Sequence, residues 1–279
     1  MTDHARVSFL GLGNMNGAIL AGYLAGGADP STVTATVHTP EKAEPAAQKY
    51  GVQVSASGAD QKANQQAAAS ADVVLLGVKP KGILALCREI SDALRPETVV
   101  VSVAAGVSRE AMEQNLPEGQ PVVRTMPNTP LTVGSGVVGV APGPTVTPEQ
   151  LESVKAVFAE SGLVVEVEEN QLSAVVATAG SAPAYVFLLA ELIAAHGAEL
   201  GLDRADAEAM AAATVKGAGL MLTRGEETAE TLRKNVMSPG GTTERAVESF
   251  LAGGLPDLVA RAMDAAAARD REMSEEFTD

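Results

Sequence analysis

Along the first part of the chain, short runs of consecutive apolar and β-branched positions alternate with segments whose apolar positions recur at helical spacing. "RVSFL" (6–10), "TVTATV" (32–37), "DVVLLGV" (72–78), "ETVVVSV" (97–103), "PVVRTM" (121–126) and "GVVGVA" (136–141) read as strands. Several are apolar almost throughout, as strands covered on both faces of a parallel sheet are. "NGAILAGYLAGG", "PEKAEPAAQKYG" and "KGILALCREISDAL" read as helices between them. This alternation predicts βαβ units in a doubly wound α/β sheet. After "LVVEV" (163–167) no strand candidate recurs, and the rest reads as alanine-rich helices separated at "GSAP", "LGLDRAD", "TRGEETAE" and "MSPGGTT". The predicted division is therefore an α/β domain over 1–168 and an all-α domain over 169–279, with no internal repeat at a fixed period.

Two of the later helices, "YVFLLAELIAAHGAEL" and "DAEAMAAATVKGAGLML", are apolar around most of their circumference. Such helices need cover on several sides. A second copy of the chain is the expected source, so a homodimer through this half is predicted. The uncharged run 173–190 approaches the length of a membrane span. Gly180 and Pro183 interrupt it and Glu191 and His196 follow, so a buried helix pair is expected instead.

Composition narrows the function. The 279 residues are 46% hydrophobic, enough for one large core or two ordinary ones. A net charge of −15, with no Lys/Arg run, leaves no electrostatic footprint for nucleic acid or an anionic membrane. An anionic ligand must then be held by local geometry. The single cysteine, Cys87, has no intrachain partner, and "MTDHARVSFLGLG" lacks an apolar stretch before a cleavage site, so a cytoplasmic protein is expected. No metal site is expected.

The candidate chemistry starts at "VSFLGLGNMNGAIL". Gly11 permits a tight turn after the first strand, and Gly13 lets the backbone approach a pyrophosphate at the helix N-terminus, where Asn14 and Met15 begin. Asn16 stands where a third fingerprint glycine is usual. At the end of the second strand, where NAD enzymes carry a carboxylate for the ribose 2′-OH, the sequence is "VHTPEKA". His38, Thr39 and Lys42 suit a 2′-phosphate and hence NADP; alternatively, His38 and Lys42 only solvate a surface turn. An imidazole changes charge near neutrality, so a His38 phosphate contact predicts NADPH affinity falling relative to NADH as pH rises. "LGVKPKG" ends another strand with Val78, Lys79 and Pro80; Lys79 either touches cofactor phosphate or ribose or is a solvated loop lysine. In "SVAAGVS" the small Ala104, Ala105 and Gly106 allow a flat ring close to the backbone. In "RTMPNTP" the loop Met126, Pro127, Asn128 is stiffened by Pro127 and Pro130.

"FLGLGNM", "VKP", "AAGVS", "MPNTP", "GSAPAY" and "SPGGTT", in this order over nearly the whole chain, resemble pyrroline-5-carboxylate reductase, the enzyme of the last step of proline synthesis. The resemblance implies an N-terminal Rossmann domain and a C-terminal helical domain that interlocks with a partner's to build the active site. It implies NAD(P)H as hydride donor, a cyclic imino acid as acceptor, L-proline as product, and often larger assemblies of dimers. It also makes the "SPGGTT" turn the substrate holder. Gly240 and Gly241 let consecutive N–H groups converge, Ser238 and Thr242 add donors, and the next helix offers its first-turn N–H groups. That is a carboxylate receptor without a formal cation, although a helix N-cap alone would use some of the same residues. By resemblance, the Thr243 hydroxyl faces the imine nitrogen while hydride reaches the adjacent ring carbon, and Asn64 contacts the adenosine ribose or its phosphate.

The chemistry is consistent with this site. Reducing an iminium neutralises a positive nitrogen, so no strong acid is required. The three histidines, His4, His38 and His196, fall in no promising catalytic loop, which fits catalysis by positioning. Where the family pattern is "SGSGPAY" this chain has Ala179 and Ala182; Met237 precedes Ser238 in place of a small hydroxyl residue; Ser135 stands where glutamate is frequent. These changes reshape the cavity and leave the ring size of the imine open. A β-hydroxyacid dehydrogenase is disfavoured because residues 170–204 contain no lysine. A paralogous reductase of another cyclic imino acid and a non-catalytic NADP-binding protein of the same fold stay as alternatives.

Overall fold

The computed structural model describes residues 5–277; His4 lies outside them. The strands are β1 (Val7–Leu10), β2 (Val33–Val37), β3 (Gln53–Ala56), β4 (Val73–Leu76), β5 (Val99–Ser102), β6 (Val122–Pro127), β7 (Gly136–Pro142) and β8 (Gly162–Glu166). The helices among them are α1 (Asn14–Ala25), α2 (Ala43–Tyr50), α3 (Ala63–Ala69), α4 (Ile83–Ile90), α5 (Arg109–Glu113) and α6 (Pro148–Phe158). They are followed by α7 (Leu172–Val175), α8 (Ala182–Glu199), α9 (Arg204–Thr223), α10 (Ala229–Asn235), α11 (Thr242–Ala252) and α12 (Leu255–Glu276).

One sheet runs β3-β2-β1-β4-β5-β6-β7-β8. Neighbouring strands are parallel except β6 and β7, which are antiparallel. The continuous apolar runs have a simple cause: successive side chains point to opposite faces, and both faces are covered. Val7, Phe9, Val73 and Leu75 pack with Ile19 and Leu20 of α1 and Phe158 of α6, whereas Leu10, Val74 and Leu76 pack with Ile83, Leu86 and Ile90 of α4.

β3 is an addition to the sequence reading. Its signal was the alternation in "VQV", cut short by the Ser/Gly-rich stretch behind it; Val52 is buried and Val54 packs on the core.

The chain divides into two compact units, the first running to Gly180 and including the chain from Ala266 onward, the second spanning Ser181–Ala265. Strands end near residue 168, yet the next twelve or so residues stay with the sheet for identifiable reasons. Leu172 is buried, Glu169 pairs with Arg109 and Arg124, and Ser173 donates to Asp270 of α12 across 2.8 Å.

In the second unit α8 and α9 pack together around the small residues Ala194, Ala207 and Ala211. The expected burial of α8 does not follow within one chain. Phe187 is 67% exposed and Leu192 57%, with Val186, Leu188, Leu189 and Ile193 also open. Pairing with α9 covers only one stripe of a helix that is apolar on nearly every side. By length and composition alone, the helical stretch Glu169–Glu199 also meets the measure for a membrane span.

Candidate active site

The strand order reverses between β1 and β4, the place where open α/β sheets bind ligands beyond their carboxyl ends. Gly11 sits there with φ +81, and a Cβ on it would lie 2.8 Å from Val78 Cγ1. Only glycine accepts both the left-handed conformation and the contact. Gly13 precedes α1 with no side-chain cap, so the helix opens with its first-turn donors uncapped. Asn16 is fully buried; its Nδ2 donates to the Gly11 and Leu75 carbonyls across 3.3 and 3.4 Å. In place of a third glycine, an amide thus fastens the turn to β4.

At the tip of β2 a polar chain has only one consistent direction. The Gly11 N–H donates to Thr36 Oγ1 (3.1 Å), Thr36 donates to Asn64 Oδ1 (2.7 Å), and Asn64 Nδ2 donates to Glu89 Oε1 (2.9 Å). These groups line a cavity of about 270 Å³ that also brings His38 and Val78 together. A larger cavity of about 590 Å³ gathers Gly13, Asn14 and Lys42 between α1 and α2. Thr39 precedes the 3₁₀ turn Pro40–Lys42, and exposed Lys79 precedes the 3₁₀ turn that Pro80 begins. Thr36, Ser57 and Glu89 are pocket residues that the sequence reading missed. Thr36, a polar residue within an apolar strand, carried a weak signal; Glu89 carried none, because its place depends on how α4 packs.

Ala104 and Ala105 follow β5, with the Ala104 N–H donating to Ser102 Oγ across 3.3 Å. Gly106, at φ +75, is buried against Met273 of α12. Met126 and Pro127 end β6. The buried Asn128 side chain has structural partners: Oδ1 accepts from the Val137 N–H (2.8 Å) and Nδ2 donates to the Ala179 carbonyl (3.0 Å). It thereby ties β7 to the π-helical turn Val176–Gly180.

Among the shifted ionisable groups of the sheet unit, Asp72, Glu169 and Cys87 are those set by burial within its packing and ion pairs. Burial raises the Asp72 carboxyl, but hydrogen bonds from the Arg6 side chain and backbone and from Arg95 outweigh it and hold it at about 2. Burial likewise raises Glu169, and the Arg109 N–H and Arg124 guanidinium lower it by more. Burial pushes the Cys87 thiol up to about 12, leaving it protonated and unreactive at neutral pH. Among the described residues no group of three His, Cys, Asp or Glu is placed to hold a metal ion.

In the second unit, α10 ends at Asn235 and α11 begins at Thr242. Gly240 adopts φ +71, which favours glycine, and its N–H donates to Glu244 Oε2 across 2.7 Å. The Gly241 N–H donates to the Ser238 carbonyl across 2.8 Å, and Gly241 caps α11 without a side-chain bond. Ser238, Thr242 and Thr243 are exposed around this turn, with Met237 half-buried beside them. Ala182 opens α8, and Ser135 is exposed in the loop before β7.

A mainly parallel sheet reversing at β1/β4, a glycine turn at the reversal and a polar pocket at the β2 tip define a Rossmann-type NAD(P)H-dependent oxidoreductase. In agreement, residues 6–106 match the family described as NADP oxidoreductase, coenzyme F420-dependent. Residues 169–273 match the pyrroline-5-carboxylate reductase dimerisation domain. Over 96% of its length the chain is 40% identical to a pyrroline-5-carboxylate reductase of Corynebacterium melassecola, covering 98% of that protein. It therefore belongs to the pyrroline-5-carboxylate reductase family. A solved reductase of this name from Coxiella burnetii superimposes with a TM-score of 0.92 at 36% identity, covering 98% of this chain and 99% of that one. The Plasmodium falciparum pyrroline carboxylate reductase, solved with NADP bound, shares the fold with a TM-score of 0.83 at 23% identity, covering 98% and 100%.

Proposed function

We propose that this protein reduces the C=N bond of 1-pyrroline-5-carboxylate to L-proline, the last step of proline biosynthesis, with NADPH as the preferred donor and NADH as a second. The observation that carries the reading is the 238–243 turn. In a unit otherwise built of helices it sets a left-handed Gly240 and an uncapped helix start beside three exposed hydroxyl side chains. Backbone N–H groups at such a place bind a carboxylate without a cation.

The residues at the sheet's reversal fit a dinucleotide: the uncapped start of α1 suits its pyrophosphate, and the pocket at the β2 tip suits its adenosine end. Gly11, Gly13, Asn14 and Met15 would hold the pyrophosphate side. His38, Thr39, Lys42 and Asn64 would hold the adenosine, and Val78, Lys79 and Pro80 the neighbouring wall. Ala104, Ala105, Gly106, Met126, Pro127 and Asn128 would shape the nicotinamide end, Asn128 by holding backbone rather than by touching the ring. When bound, the reduced nicotinamide supplies hydride. Ser238, Gly240, Gly241 and Thr242 then fix the imino acid by its carboxylate, and the Thr243 hydroxyl orients the imine nitrogen. Catalysis is by positioning, since the reduced nitrogen needs no strong acid.

The functional division falls at residue 168, with 169–279 forming the dimerisation and substrate-binding half of a cytoplasmic homodimer. The exposed apolar surface of α8 supports that reading. The test follows NADPH oxidation by purified protein with racemic pyrroline-5-carboxylate and its six-membered homologue side by side. Turnover favouring the five-membered ring supports the assignment. Preference for the larger ring moves it to a related imine reductase shaped by Ala182 and Met237, and activity with neither leaves a binding role.

A further inference from the structure

No carboxylate ends β2 directly; Glu41, in the 3₁₀ turn that follows, lines the 590 Å³ cavity beside Lys42, and the 270 Å³ cavity at the β2 tip takes its carboxylate from another element. Glu89, on α4, is the one acidic group lining the 270 Å³ cavity. Its Oε1 accepts from Asn64 Nδ2, and the Asn64 amide is in turn oriented by the Thr36 hydroxyl, which accepts the Gly11 N–H. Each step has a forced polarity. A hydroxyl that accepts from a peptide N–H has its one proton left for the amide oxygen, and the amide nitrogen then faces an acceptor-only carboxylate. The glycine turn and Glu89 are thus joined by a single oriented chain.

The remaining lining gives the cavity two characters. Val78, Ala85 and Leu86 offer an apolar wall, while Thr36, Asn64 and Glu89 offer a polar base. That combination matches adenosine, whose flat ring is apolar on its faces and whose exocyclic amine and ribose hydroxyls are donors. A carboxylate accepts from all of those donors. It repels a 2′-phosphate, which at neutral pH is negative and has little left to donate.

Resting on the dinucleotide reading above, we propose that Glu89 is a specificity-determining residue of the cofactor pocket. It presents, with Asn64, an acceptor to the adenosine, and it opposes His38, which lines the same cavity, in the choice between NADPH and NADH. The preference is then a balance between walls: the donors at the β2 tip favour the 2′-phosphate, and the α4 carboxylate restrains it.

The experiment measures NADPH and NADH dissociation constants directly, without imine, for the full-length protein and its Glu89→Gln, Glu89→Asp and Glu89→Ala variants. Glu89→Gln keeps an acceptor for Asn64 but removes the charge. It should raise the NADPH-over-NADH affinity ratio about fivefold, the scale of one close charge pair in a solvated cleft. Glu89→Asp should keep the wild-type ratio, and Glu89→Ala should weaken both cofactors while still raising the ratio. Thermal unfolding of each variant checks that it folds. An unchanged ratio in Glu89→Gln, or equal weakening of both cofactors there, overturns the proposal and leaves Glu89 a structural partner of Asn64. Imine turnover is scored separately on the wild type, so a failure of the assigned reaction is not mistaken for a failure of this pocket.

Discussion

The Gly240 N–H donates to the Glu244 carboxylate across 2.7 Å, so the turn assigned to the substrate's carboxylate already binds one of its own. Glu244 sits at the third position of α11, where an acidic side chain also favours the helix dipole. An incoming imino acid must displace it to use the Gly240 donor. Glu244→Ala should therefore lower the KM for the imino acid two- to fivefold, equivalent to about 0.5–1 kcal/mol for a partly solvated bond. The melting temperature should fall slightly from loss of this bond and of the acidic charge at the start of α11. A KM that stays put while stability drops would make Glu244 a stabiliser of the turn and nothing else.

Thr243 lies exposed in the first turn of α11, next to the same donors. If its hydroxyl orients the imine nitrogen, Thr243→Ala should reduce kcat/KM roughly ten- to a hundredfold, the range of one lost hydrogen bond. NADPH affinity, measured by titration without imine, should not change. Wild-type rates in the variant would remove Thr243 from the mechanism.

Asp72 joins Arg6 at the start of β1 to Arg95 ahead of β5, with oxygen to nitrogen distances of 3.0 and 2.6 Å. Its folded pKa of about 2 lies below the usual value near 3.8. A depressed carboxyl stabilises the fold above its unfolded pKa, and that contribution is lost as pH falls from about 4 towards 2. Asp72→Asn should lower Tm at pH 7 by about 2 °C, a small figure because the pair is partly solvated. The gap to wild type should close across pH 4 to 2. A gap that is constant with pH would assign the effect to packing instead.

Phe187 and Leu192 are exposed on α8 within the dimerisation region. Placing charge there, as Phe187→Arg with Leu192→Arg, should convert a dimer into monomer at micromolar concentration in sedimentation velocity, with loss of turnover. A wild-type protein that already sediments as monomer would end the homodimer reading.

Much of this arrangement was legible because its causes are local. Period-two and uninterrupted apolar runs announce strands whatever they pair with, and the glycines at 11 and 240 announce turns that side chains disfavour. The gathering of these strands into one doubly wound sheet was legible too, down to the glycine turn after β1. Other features were hidden for a common reason. β3 was too short and too polar on one side to stand out, the antiparallel entry of β7 leaves no mark on its composition, and residues 169–180 join the sheet through Glu169 and Leu172 rather than through any strand of their own.

The polar side chains divide most clearly. The sequence alone determined that an asparagine stands at 128 between Pro127 and Pro130, that no carboxylate follows β2 directly, and that a donor-rich turn breaks the helical half. Only the tertiary structure decided that the Asn128 amide is spent on Val137 and Ala179, that Asn64 is oriented by Thr36 and Glu89, and that Glu244 occupies a donor of the turn. Backbone propensity and hydrophobic period are properties of neighbouring residues along the chain, whereas a hydrogen bond across 25 or 51 positions exists only once packing has brought its two ends within 3 Å.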